Sequence, residues 1–243
     1  MISFKEIDEK ELYSFGGSNV ASFVPIIRDL NFTSFMGVPH NIYSIIENGT
    51  YVGVLYRTQD NNEEKNIAVL LSFGEEIVAH IESMTAGSTT MFCPSLQQFS
   101  NLPYFDGGVY RRCGNNSGSN IPFTKHCECI PTLSCAKEII NGASLPTSDI
   151  EKYISWLDYN TNKYVVIEKE KIASILCILK GPVNIVSFYW DSDESGNNIS
   201  GLLNYCSNYF NEIFAMAPKE RNNFLIQNGF LCACNWRLFY NGI

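Results

Sequence analysis

The sequence has no apolar run approaching the roughly 18 residues that cross a bilayer as a helix. It also has only three histidines, His40, His80 and His126. The first absence predicts a chain without a membrane-spanning helix. The opening residues Met1-Ile2-Ser3-Phe4-Lys5-Glu6 lack the basic, apolar, small-residue layout of a leader, so the expectation is a cytoplasmic protein that stays off membranes. The scarcity of histidine leaves no Ser/His/Asp or Cys/His arrangement that the chain could assemble for nucleophilic catalysis. Basic residues are short too: 17 Lys and Arg against 25 Asp and Glu give a net charge of −8. Gripping phosphates along a nucleic acid takes clustered cations, and the pair Arg111-Arg112 is too small for that, so no nucleic-acid partner is expected. Nine cysteines are present without a single Cys-x-x-Cys pair. Their odd number and their scatter through apolar segments (Cys93, Cys177, Cys206, Cys232) read as reduced thiols, not a secreted disulfide framework.

What is present is ample apolar material. Of 243 residues, 45% are hydrophobic and 17% charged, enough to cover packed cores. The length suits two compact units of half the chain each. The chain also repeats itself. Residues 41–55, NIYSIIENGTYVGVL, align without a gap on 162–176, NKYVVIEKEKIASIL, and both read as strand, tight turn, strand. Asn48-Gly49 is the preferred filling of a type I′ turn, where both positions need positive φ; the second copy places Lys169-Glu170 there. A further strand follows each hairpin (66–72 and 184–190), then an acidic turn and a helical stripe. The Gly-, Asn-, Ser- and Pro-rich stretch beginning at Gly114 separates the copies. The expected division is 1–113 for the first domain, 114–133 for a linker and 134–243 for the second domain.

In the second half, Ser148-Asp149 can cap a helix with Ile150, Tyr153, Ile154 and Leu157 on one face. Strands are expected at 164–168, 172–180 and 183–190. A helix with Ile199, Leu202, Leu203, Cys206, Tyr209 and Phe210 along one stripe comes next. A short strand at 212–216, a helix opened by Pro218, a stop at Asn228-Gly229 and a last strand at 232–240 complete the half.

That order, from about residue 148 to 240, resembles the GNAT superfamily of N-acyltransferases. Ser195-Gly196-Asn197-Asn198-Ile199-Ser200-Gly201 sits where the family carries its Arg/Gln-x-x-Gly-x-Gly/Ala phosphate turn, and residues 224–230 resemble its late helix ending in Gly-Phe. The resemblance implies two GNAT-like domains in an α/β (α+β) fold, each with a mixed, mainly antiparallel central sheet flanked by helices. It implies acetyl-CoA or another acyl-CoA as co-substrate, an amine-bearing small molecule or peptide as acceptor, and cofactor contacts at Gly196, Asn197, Asn198, Ile199, Ser200 and Gly201. The physical basis is that main-chain N–H groups at a helix N-terminus hold a pyrophosphate without a cationic side chain. Asn198 stands where a Gly is usual, and Asn tolerates positive φ. Three features depart from the family. Ser195 replaces the opening Arg or Gln; Asp191, Asp193 and Glu194 bring negative charge to the mouth; and Leu225 stands where many members place a Tyr that protonates the leaving thiolate.

For a base, Tyr189 and Asp191 end the strand facing the expected thioester, with Tyr205 and Tyr240 more remote. The first half has Phe73-Gly74-Glu75-Glu76 at the corresponding turn, so it is not expected to bind CoA, and His80 beyond it reads as structural. Cys113, His126, Cys127, Cys129 and Cys135 are the other candidate cluster. Their spacing does not match paired zinc knuckles, and no metal site is assigned. The alternative to an N-acyltransferase is a catalytically inactive GNAT-like interaction module; either is compatible with a homodimer.

Overall fold

The computed structural model describes residues 1–16, 20–60, 63–72, 74–85, 88–94, 104–114, 125–142 and 150–241. The elements of the first half are β1 (Ile2–Ile7), α1 (Glu9–Gly16), α2 (Val20–Phe35), β2 (His40–Glu47), β3 (Thr50–Asp60), β4 (Glu63–Leu70), α3 (Glu75–Met84), β5 (Ser88–Pro94) and β6 (Tyr104–Cys113). Then come β7 (His126–Ile130), α4 (Lys137–Gly142), α5 (Ile150–Asn160), β8 (Thr161–Glu168), β9 (Lys171–Leu179), β10 (Val186–Asp191), α6 (Asn197–Cys206), β11 (Glu212–Pro218), α7 (Asn223–Gln227) and β12 (Leu231–Asn241). The chain divides into two units. Unit 1 is Met1–Tyr110, Met216–Arg221 and Cys232–Ile243; unit 2 is Arg111–Ala215 and Asn222–Leu231.

Unit 1 is built on strands in the order β1-β2-β3-β4-β5-β12-β6. The β1/β2, β2/β3, β3/β4 and β5/β12 pairs are antiparallel, and β4/β5 is parallel. On one face, α3 lays Ile77, Val78 and Ile81 over Ile45, Leu55, Ala68, Met91 and Phe239. Burying such side chains contributes roughly 1.5–3 kcal/mol each, which offsets the entropy of ordering the strands. α2 buries Phe23, Val24, Ile26, Ile27 and Leu30.

Unit 2 carries a second sheet in the order β10-β9-β8-β7, antiparallel throughout. α5 buries Tyr153, Ile154, Trp156 and Leu157, and α6 buries Ile199, Leu202, Leu203 and Cys206. This is the mixed, mainly antiparallel α/β architecture that the strand and helix order implies.

The two hairpins repeat in three dimensions. Asn48 (φ 50°) and Gly49 (φ 80°) turn the first, and Lys169 (φ 48°) and Glu170 (φ 64°) turn the second, so both use the double positive-φ geometry. Each ladder also slips register at the same place, between Ile45 and Ile46 and between Val166 and Ile167, which are aligned positions. A shared bulge at a shared step is a backbone feature that letters alone do not reveal.

Four expectations change. The stretch 114–133 contains a strand, β7, because His126 to Ile130 find partners along β8, from Ile167 to Lys163. The last strand lies in unit 1, not with 134–243, because it pairs with β5 from Trp236↔Pro94 to Asn241↔Thr89. Pro218 ends β11 instead of opening a helix; a 3₁₀ turn, Lys219–Arg221, intervenes before α7. The helical stripe ends at Cys206, which leaves Tyr209 63% exposed.

Candidate functional site

β10 carries Tyr189 and Asp191 and, among the described residues, is the edge of its sheet: β9 flanks it on one side, and its other side has no ladder. Just before it, Ile185 forms an isolated parallel bridge with Phe214. The Phe214 amide donates to the Asn184 carbonyl at 2.8 Å, and the Asn184 carboxamide donates to the Glu212 carbonyl at 3.0 Å. From Val186 onward β10 and β11 belong to different sheets. Among the described residues these parallel neighbours meet at the Ile185–Phe214 bridge alone, which leaves the outer main-chain edge of β10 without a ladder partner there.

Beyond β10 the chain turns into α6. Gly196 caps the helix at φ 72°, the left-handed conformation that glycine takes at least cost. It is Gly196, not Asn198, that adopts positive φ. A Cβ at 196 would fall 2.7 Å from Phe224 Cε2, so this glycine also admits the Phe224 ring. That ring stacks on Tyr189, with centroids 5.6 Å apart and planes 6° off parallel.

The turn is organised by its own carboxylates. Asp191 Oδ2 accepts from the Ile199 amide at 2.9 Å, while Oδ1 accepts from the Asn198 carboxamide and the Asp193 amide, each at 2.9 Å. Three N–H groups on one carboxylate make Asp191 a helix cap, favoured by the positive end of the dipole. Asp193 Oδ1 accepts from the Ser195 amide at 3.0 Å and from its hydroxyl at 2.6 Å, and Oδ2 accepts from the Asn197 carboxamide at 3.0 Å. These donors hold the Asp193 carboxyl below its ordinary range, the Ser195 hydroxyl contributing most. The Ser200 amide closes the first intrahelical bond, to the Gly196 carbonyl at 3.1 Å. Ile199, Asn198 and Gly201 are buried, whereas Asn197 is exposed.

The six expected cofactor residues thus form one turn with Asp191 at its centre, and Tyr189 stands two residues before it. Tyr205 belongs elsewhere, in a ring cluster with Tyr164 and Tyr209 at 6.1 and 5.2 Å. The Tyr240 side chain lies outside the described residues. Leu225 is buried at 7% exposure, so the position of the family's tyrosine faces the core, and Phe224 is the α7 side chain that reaches β10. Sequence reasoning missed Phe224; its only signal was an aromatic beside the position already inspected. It missed Lys125 as well, whose ammonium donates to Asn198 Oδ1 at 2.6 Å and pairs with Glu168 at 2.5 Å. Nothing local marks a lysine in a polar loop as a neighbour of a turn so far along the chain.

The described residues of the first half show no such turn. Glu75 and Glu76 follow Gly74 at the α3 start, and β4 and β5 stay paired from Lys65↔Ser88 to Val69↔Phe92. Among the described residues no three His, Cys, Asp or Glu side chains are placed to hold a metal, so Cys113, His126, Cys127, Cys129 and Cys135 form no such group. His126 instead meets Glu128 at 3.2 Å, and His80 bonds the Glu76 carbonyl on its own helix at 2.8 Å. No helix among the described residues is long and apolar enough to cross a membrane.

No family model and no curated protein sequence matches the chain. Solved structures do. A structural-genomics protein from Drosophila superposes with a TM-score of 0.64 at 6% identity, over 98% of this chain and 97% of the other. A tandem GNAT protein from the clavulanic acid biosynthesis pathway gives 0.52 at 7% identity, over 99% and 98%. A GCN5-related N-acetyltransferase from Sphaerobacter thermophilus gives 0.54 at 10% identity, over 83% and 82%. This is the GNAT fold. Identities this low establish the GNAT architecture and leave its chemistry to be argued from residues.

Proposed function

We propose that unit 2 binds an acyl-CoA and transfers the acyl group to an amine of a small molecule or peptide. The observation that supports this most is the outer edge of β10, without a ladder partner among the described residues, rooted at the Ile185–Phe214 bridge and leading directly into the N-terminus of α6. An extended pantetheine amide chain finds main-chain partners along such an edge, and a diphosphate finds the first-turn amides of the helix. Lys125 places an ammonium beside Asn198, a cation where Ser195 provides none. Binding requires Asp191 to release the Ile199 amide to the phosphate and Phe224 to swing off Tyr189. In this reading Tyr189, 52% exposed on β10, takes the amine proton.

A second reading has its own observation. Asp191 and Phe224 already occupy the turn and the strand face, so the same geometry suits a non-catalytic module that never opens. Titrating the protein with acetyl-CoA and longer acyl-CoAs while following its melting separates the two. A ligand at 100 times its Kd adds about 2.7 kcal/mol of stability. A shift, together with thiol release when amines are added, supports transfer. An unchanged melting curve with every acyl-CoA leaves the non-catalytic module.

A further inference from the structure

Phe224 meets two other elements of the unit 2 site. Its ring stacks on Tyr189 of β10, and Gly196 leaves room for it at the start of α6. Its backbone is held from the far end of α7. The Phe224 carbonyl accepts from the Asn228 carboxamide at 2.8 Å and from the Asn228 amide at 3.1 Å.

Behind this arrangement stands Arg112, the next-to-last residue of β6. Its Nη1 donates to the Asn228 carbonyl at 2.8 Å, and its Nη2 donates to the Asn204 carboxamide in the last turn of α6. One side chain thus fixes α7 against α6, the helix whose first turn Phe224 touches, and all these residues lie in unit 2. Arginine is a costly choice for support alone. Arg112 is buried at 3% exposure, burial pulls its guanidinium below the ordinary value, and both acceptors are neutral. An apolar side chain would fill the same space without desolvating a charge. It would not bond two acceptors at a fixed separation, as the planar fork of arginine does.

We propose that Arg112 is a positioning residue of the unit 2 site: by bonding α6 and α7 at once, it holds α7 where Phe224 lies on Tyr189, and so keeps closed the aromatic gate that acyl-CoA must open. This deepens the acyl-CoA reading and rests on it for the ligand, while the hold on the gate is a property of the free protein.

The test begins with the full chain free of ligand and labelled with carbon-13 in its tyrosine rings. The Tyr189 signal is the one lost in Tyr189→Phe, and Phe224→Leu marks where it falls without the stack. Arg112→Lys keeps the charge and loses the fork; it is expected to move the Tyr189 signal more than halfway to the Phe224→Leu position. Asn204→Ala, which leaves Arg112 in place and suits a helix, is expected to move it in the same direction and decides the matter if Arg112→Lys does not fold. Ile154→Val, a core truncation in α5, is expected to leave the signal where it is. In calorimetric titration, Arg112→Lys is expected to bind acetyl-CoA about fivefold more tightly than the parent, the worth of one hydrogen bond holding the gate shut. The proposal is overturned if the Tyr189 signal stays in place in the folded Arg112 and Asn204 variants, if Ile154→Val moves it as far, or if the parent binds acetyl-CoA and Arg112→Lys binds it no better. A parent that binds no acyl-CoA refutes the acyl-CoA reading instead, and the Tyr189 signal then decides the role of Arg112.

Discussion

Asp191→Asn sets two effects of opposite sign against each other. In the folded chain one carboxylate holds the Ile199 amide, the Asn198 carboxamide and the Asp193 amide. Asparagine keeps the shape but offers one acceptor oxygen, and its own NH₂ faces one of those donors. The loss of charge at the helix N-terminus removes about 0.3–1 kcal/mol, and one orphaned donor costs about 1–3 kcal/mol more. Unfolding stability is therefore expected to fall by about 2 kcal/mol in urea titrations at neutral pH. Acyl-CoA affinity should move the other way. A diphosphate that takes the same amide must displace a charge-assisted hydrogen bond worth about 1.5–3 kcal/mol, and the variant no longer imposes that cost. Calorimetric titration with CoA should give a Kd about tenfold to a hundredfold lower than the parent. Unchanged stability would refute Asp191 as the cap of α6. Equal or weaker CoA binding by a variant of a parent that binds would refute the α6 amides as the phosphate site.

Other expectations follow from single environments. Gly196→Ala forces alanine to positive φ and its Cβ into Phe224, so urea titration should show a loss of about 2 kcal/mol, together with a changed environment for Tyr189 in near-ultraviolet circular dichroism. Arg112 is buried at 3% exposure, donating to the Asn228 carbonyl at 2.8 Å and to the Asn204 carboxamide, with no acceptor for Nε among the described residues. Arg112→Ala should cost about 3 kcal/mol by the same measurement, because two charged hydrogen bonds vanish and a cavity opens. Burial raises the Asp29 carboxyl, with Arg28 and Lys65 pulling it down less strongly. The folded state then holds that proton more tightly than the unfolded chain. Stability is full below the ordinary carboxylate pKa of about 3.9, declines as pH rises toward the raised folded value and is flat above it. Asp29→Asn should erase that decline and melt higher than the parent at pH 7. With a disulfide-forming reagent, Cys129, Cys135 and Cys232, all exposed, should react before unfolding, while Cys93, Cys177 and Cys206 react only with it.

Much of the local structure was legible because it rests on short-range causes. Asn48-Gly49 sets a hairpin through φ, the 3.6-residue stripe from Ile199 to Cys206 sets α6, and Asn228-Gly229 sets the end of α7. The similarity of the two hairpins was legible as letters, although the bulge they share belongs to the backbone. The candidate turn was legible as a place. Its state was not, because whether Asp191 caps the helix or Phe224 lies on Tyr189 depends on side chains packing across separate elements.

By itself, then, the sequence determined a mixed α/β fold, two similar hairpins and a Gly-Ser turn opening a helix. The tertiary structure alone decided that β12 joins β5 in unit 1, that Asp191 spends its oxygens on the helix, and that Arg112 bonds α6 and α7 at once. Strand pairing across more than a hundred residues carries no local signature, since any half-buried strand presents the same alternating face and the same unpaired edge until its neighbour is chosen.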